Sequence, residues 1–127
     1  MLSEVDINDY KKDGWTQPQK GVKFDGDKPP MALLDPDFLV GVAKVLGFGA
    51  NKYASNNWRN GIEYTRLISA AYRHLTAINN GEDIDPESGL GHAYHLGCTT
   101  MFLASMLATR PDMDDRWKAG TESRGPG

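Results

Sequence analysis

Residues 62–108 read IEYTRLISAAYRHLTAINNGEDIDPESGLGHAYHLGCTTMFLASMLA. Two apolar runs of helical period flank an acidic connector. In the first run Leu67, Ala70, Ala71, His74, Leu75 and Ile78 share one side, as a half-buried helix requires. In the second, Leu90, Ala93, Tyr94, Gly97, Met101, Leu103, Ala104 and Leu107 do the same. The spacing predicts one helix over Ile62–Asn79, stopped by Gly81, because glycine adopts the left-handed conformation that closes a helix. A second helix is expected from Pro86 to Ala108, with Asp85 as N-cap and Pro86 at its first position. A connector of about five residues makes the two helices an antiparallel pair.

Upstream, DPDFLVGVAKVLGFGANKY (Asp35–Tyr53) holds Phe38, Leu39, Val42, Val45 and Leu46 at helical spacing. Asp35 and Pro36 open it in the same way, and a further helix is expected over Pro36–Phe48, reaching Lys52 if Gly47 and Gly49 do not end it. In GVKFDG (Gly21–Gly26), Val22 and Phe24 alternate with Lys23 and Asp25, which reads as a short β element. The fold class is therefore mostly α: an antiparallel helix pair, one further helix and a short N-terminal β element. The organisation expected is an N-terminal arm (1–20), a single helical domain (21–109) and a partly disordered C-terminal tail (110–127). Pro111 breaks the last helix, and Trp117 is the candidate anchor of the tail.

The chain has 127 residues and is 39% hydrophobic. Both ends are polar, so the core falls to a central segment of about 80 residues, a marginal size for a lone domain. A homo-oligomer follows as the expectation. Net charge is -3 with no basic block, which argues against a nucleic-acid partner. No run approaches the roughly 18 apolar residues of a membrane span, and the N-terminus lacks the pattern of a secretion signal. Cys98 is the single cysteine, so no intrachain disulfide can form. These features point to a cytoplasmic protein.

The chemistry-bearing residues cluster. Glu82, Asp83, Asp85 and Glu87 lie in or beside the connector; His92 and His95 lie one turn apart after it. In an antiparallel pair, His74 comes level with one of these histidines. Carboxylates suit Mg²⁺, which keeps waters and grips phosphates; imidazoles suit Zn²⁺ or Mn²⁺ better. The blander reading is that acids before a helix favour its dipole and that the histidines are hydrogen-bonded core residues. The loop GANKYASNNWRNG (Gly49–Gly61) carries Lys52 and Arg59 as cations and Tyr53 and Trp58 as stacking faces. These either bind a ligand or cover the edge of the core.

Four stretches together, KFDGDKPPMALL, FGANKYASNNW, YRHLTAINNGEDIDPESGLGHAYHLGC and RPDMDDRW, resemble the phage dATP/dGTP diphosphohydrolases, relatives of the MazG-like all-α nucleotide pyrophosphatases. The resemblance runs in order from Gly21 to Trp117. It implies cleavage of purine deoxynucleoside triphosphates to monophosphate and pyrophosphate, with Mg²⁺ or Mn²⁺, in dimers or tetramers within the host cytoplasm. On this reading Glu82, Asp83 and Asp85 are metal ligands and Glu87 is ligand or base. His92 and His95 bind phosphate or complete the metal site, and His92 joins Glu87 as a catalytic candidate. Lys52, Arg59, Arg73 and His74 contact the nucleotide, and Tyr53 or Trp58 stacks on its base. Such enzymes carry E-x-x-E followed by E-x-x-D; here His92-x-x-His95 stands where a second helical acid pair is expected. The alternative is a phage sponge that holds a nucleotide immune signal without cleaving it.

Overall fold

The computed structural model describes residues 26–120. The chain divides into two units, residues 1–33 and 34–127. Of the first, the described part is a turn followed by an exposed 3-10 turn, Met31–Leu33. The β element expected over 22–25 lies outside the described residues.

The second unit is built on three helices: α1 (Pro36–Lys52), α2 (Tyr64–Asn79) and α3 (His92–Thr109). α1 opens as the sequence predicts, with Asp35 Oδ1 accepting from the Asp37 N–H at 3.1 Å and Pro36 at the first helical position. It passes through Gly47 and Gly49 to Lys52. Burial of Val42 and Val45 outweighs the roughly 1 kcal/mol that each glycine costs a helix.

α2 has no cap from its own preceding residue Glu63. Its cap comes from the far end of the chain: the Asp115 carboxylate accepts from Thr65 N–H at 2.9 Å and from the Thr65 hydroxyl at 2.5 Å. The other end closes as expected on Gly81, at φ +91°. Gly81 N–H donates to Ile78 O and Glu82 N–H to Ala77 O, both at 2.9 Å, the paired bonds of a Schellman stop.

α3 departs from its predicted start. It begins at His92 rather than Pro86, and its N-cap is Gly91 rather than Asp85. Asp85 and Pro86 instead open a turn, in which Asp85 Oδ1 accepts from Glu87 N–H at 3.1 Å and Asp85 O from Gly89 N–H at 2.8 Å. Gly89 sits at φ +73°. Ile84 and Gly91 then pair as an isolated antiparallel bridge, with Asp85 N–H on Leu90 O and His92 N–H on Asp83 O. Proline, serine and two glycines in PESGLG disfavour helix, so a looped connector replaces the extra helical turn.

α2 and α3 are antiparallel: Tyr64 meets Met106 at one end and His74 meets His92 at the other. α3 is the central element and packs on both α1 and α2. One apolar cluster joins Val42, Val45 and Cys98 with Leu46, Leu90 and Tyr94; the second joins Tyr64, Leu67 and Met106 with Trp58, Ile62, Ile68, Leu103 and Met113. Phe102 belongs to both. Because α3 serves two neighbours, its inward residues do not form the single stripe expected. His92, Thr99 and Met106 are buried, while Met101, Leu107 and, on α2, Leu75 are exposed.

The end of the chain also differs from expectation. Trp117 is 79% exposed rather than buried as an anchor; Met113 and Asp115 hold the segment after Pro111 against α2. Arg110 adds a bond to Asn60 O at 3.0 Å. No described helix is long and apolar enough to cross a membrane.

Candidate functional site

The antiparallel pairing brings the three histidines together at the connector end of α2 and α3. His74 Nδ1 lies 2.9 Å from His92 Nδ1, and His92 Nε2 lies 2.7 Å from Glu82 Oε2. His92 is buried, while the Glu82 side chain is about half exposed. Two ring nitrogens at that separation share one proton. With His92 Nε2–H donating to the carboxylate, a neutral His92 accepts from His74 at Nδ1. The result is a hydrogen-bonded chain, Glu82–His92–His74, that links a buried ring to a half-exposed acid. The Schellman stop of α2 places Glu82 at its foot.

His95, one turn further along α3, stacks on His74 with ring centroids 4.9 Å apart and planes 13° apart. The Phe48 ring meets it edge-on at 6.4 Å. His95 Nε2 lies 2.7 Å from Ser88 Oγ and 3.2 Å from Asp85 Oδ2. In a serine nucleophile arrangement the acid binds the histidine's other nitrogen; here serine and acid crowd the same one, and Ser88 Oγ also accepts from Leu90 N–H at 3.1 Å. Ser88 and Asp85 therefore lock the connector turn onto His95.

Burial pushes the His74 pKa below 6.5, aided by the neighbouring His95 and His92 rings and by Arg73 and opposed by Asp85. Burial lowers His95 as well; Asp85 and Glu87 oppose this and His92 adds to it. For Asp85, burial acts upward but is outweighed by hydrogen bonds from Glu87 N–H and Ser88 and by the charges of His95 and His92, so its carboxyl sits below the usual range. Cys98 is buried in the first core cluster, and burial lifts its thiol to about 11; it is a packing residue.

The other expected site residues divide. Glu87 is exposed and pairs with Lys52 at 3.4 Å, so the end of α1 meets the connector at its rim. Asp83 is exposed on the connector, its backbone carbonyl receiving the first N–H of α3. Trp58 is drawn away: it stacks on Phe102 at 4.7 Å, and Arg59 covers its ring at 4.4 Å. Arg59 Nε also donates to Asn56 Oδ1 at 2.8 Å. Trp58 thus covers the core edge, the blander of its two sequence readings. Tyr53 is exposed, and Arg73 lies on α2 beside His74. Sequence reasoning missed Ser88 and Phe48; the Asp-x-x-Ser spacing of the turn was the available signal for Ser88.

Among the described residues no three histidine, cysteine, aspartate or glutamate groups converge to hold a metal ion by themselves. Glu82 faces His92, and Asp85 is tied to its own turn. The exposed carboxylates of Glu82 and Asp83 suit a hard cation that keeps waters and shares its shell with phosphate, the habit of Mg²⁺.

Among the described residues, fold and site define a small helical domain whose acidic connector meets a histidine network. The profile of the family described as "dATP/dGTP diphosphohydrolase, N-terminal" matches residues 18–116, a span that includes every residue of this network. The chain belongs to that family. It is 43% identical over 100 residues to a dATP/dGTP diphosphohydrolase of Salmonella phage PMBT28, covering 78% of this chain and 34% of the relative. The chain thus matches about a third of the length of that curated relative. No solved structure matches. The comparisons lend no support to the sponge reading.

Proposed function

We propose that the chain acts in the hydrolysis of purine deoxynucleoside triphosphates, dATP or dGTP, to monophosphate and pyrophosphate. The observation that carries the reading is the family match over 18–116, which spans the whole Glu82–His92–His74 chain. The name of the phage relative, dATP/dGTP diphosphohydrolase, supplies the substrate class.

Attack on a phosphorus needs a water relieved of a proton and phosphate charge that is neutralised. Both ring nitrogens of His92 are engaged, Nε2 by Glu82 and Nδ1 by His74, so His92 acts within the relay and His74 is its outer base. His74 Nε2 takes the proton from water, and His92 and Glu82 hold the His74 ring and stabilise the imidazolium that forms. Glu82 and Asp83 would hold Mg²⁺ or Mn²⁺, which would supply the charge neutralisation when bound. Asp85 holds the turn, and Glu87 with Lys52 lines the rim. The working form is a homo-oligomer in the cytoplasm of the phage's host. The test is pyrophosphate release from dGTP and dATP with Mn²⁺, Mg²⁺ or EDTA. Metal-dependent release is expected; nucleotide binding without release under every condition would overturn the assignment.

A further inference from the structure

A groove runs along α2 from Ile62 to Arg73. It is open to solvent, holds about 400 Å³ and is lined by Ile62, Thr65, Arg66, Leu67, Ser69, Ala70 and Arg73. That volume lies within the ~300–1,000 Å³ of small-ligand sites. Arg66, Ser69 and Arg73 follow one another at three and four residues, so they share one helix face. Two turns of helix, about 10 Å of rise, separate the arginines, and the Arg73 end adjoins His74, whose ionisation Arg73 opposes.

We propose that this groove seats the phosphate chain of a nucleotide, with Arg73 and Arg66 as its cationic holds and Ser69 as a hydroxyl donor between them. Arg66 and Arg73 are the cations in the groove's lining, and several of the other described cations are already paired. Arg59 is spent on Asn56 and Trp58, Lys52 on Glu87, Arg110 on Asp112 and Arg116 on Asp114. Among the described residues Arg73 has no carboxylate partner. Arg66 has only Glu63, at 3.5 Å with both side chains well exposed, a pair that a phosphate displaces at small cost. Guanidinium groups grip phosphate oxygens through paired N–H bonds, whereas the carboxylates at the connector repel them.

The ends of the groove are chemically distinct. At Thr65 the Asp115 carboxylate already occupies the helix N–H and the hydroxyl, so an anion is repelled there. At the other end no carboxylate lines the groove, and the Arg73 charge there is near enough to His74 to oppose its ionisation. The identity of the ligand rests on the diphosphohydrolase reading; the anion site itself does not.

The experiment is calorimetry of inorganic tripolyphosphate on the full chain, in EDTA and at low salt. Arg66→Gln and Arg73→Gln should each weaken binding at least about tenfold, the scale of a lost charge-assisted hydrogen bond. Lys44→Gln, the same charge change on exposed α1 surface, should leave it unchanged, and circular dichroism verifies the fold of each variant. Wild-type protein that does not bind, arginine variants that bind like wild type, or Lys44→Gln as weak as they are, would each overturn the site. Arginine-dependent binding without pyrophosphate release from dGTP removes the enzyme reading and leaves the groove. Turnover with an unchanged KM in both arginine variants does the reverse.

Discussion

Glu82 and Asp85 look alike in the sequence, two acids three residues apart, yet their surroundings give them different work. Glu82 is half exposed and holds the buried His92 ring; Asp85 is the hub of a turn and ties Ser88 and His95 together. Glu82→Gln keeps the shape and an acceptor for His92 but loses the charge that favours the imidazolium. Its pyrophosphate release from dGTP is expected to fall by more than about 100-fold with the helical fold retained; activity within a few-fold of wild type would contradict the role assigned. The histidines also make stability depend on pH. His74 and His95 are held below 6.5 in the folded chain, so on acidification the unfolded chain takes up protons first. Their contribution is complete above 6.5 and drains as pH falls through the lowered values. Asp85, held below 3.8, adds a further loss at still lower pH. Urea midpoints should be level from about pH 8 to about pH 7 and decline from there to about pH 5. His74→Gln should flatten that decline, and a midpoint that ignores pH in the wild type would rule the account out.

Glycines within the helices separate into two kinds. Gly41 lies directly beneath the Tyr94 ring and Gly97 beneath Phe38, so α1 and α3 approach through missing side chains, whereas an added Cβ at Gly47 or Gly49 meets nothing within 4 Å. Gly41→Ala is expected to cost about 1–3 kcal/mol of stability by overpacking, against a helix-propensity gain of about 1 kcal/mol. Gly47→Ala should gain about 0.5–1 kcal/mol. Thermal melts of the two variants should move in opposite directions; equal shifts would refute the close-approach argument. Elements whose determinants are local were legible in the sequence: the Asp35–Pro36 start, the Gly81 stop and the antiparallel pair that carries His74 to His92. The start of α3 was not, because Asp85–Pro86 opens a turn as well as a helix, and two glycines decide between them. Nor was the retreat of Trp58 from the site, since its stacking partner Phe102 lies on another helix. The Asp115 cap on α2 is hidden for the same reason, as it joins residues 50 apart in the chain.

At the scale of the whole molecule, α3 poses a problem of burial. Its 18 residues, HAYHLGCTTMFLASMLAT, include no aspartate, glutamate, lysine or arginine. A helix without a charged face belongs in the interior, and α1 and α2 cover only part of it. Ala93, Thr100, Met101, Ala104, Leu107 and Ala108 remain exposed, Leu107 at 51%. Small side chains with larger ones between them allow a second helix to approach closely. Domains enclose a core between at least two layers, and a second copy would supply the missing layer by symmetry. Light scattering at micromolar concentration should therefore give at least twice the 14.0 kDa of one chain. Leu107→Glu places a charge on the uncovered face beside the buried Met106 without altering the interior. It should shift the population toward monomer while keeping the helical circular dichroism, since an unpaired charge is poorly tolerated in a closed interface. A wild-type protein that stays monomeric would mean that α3 tolerates water along this face. A dimer that survives Leu107→Glu unchanged would place the contact on another surface.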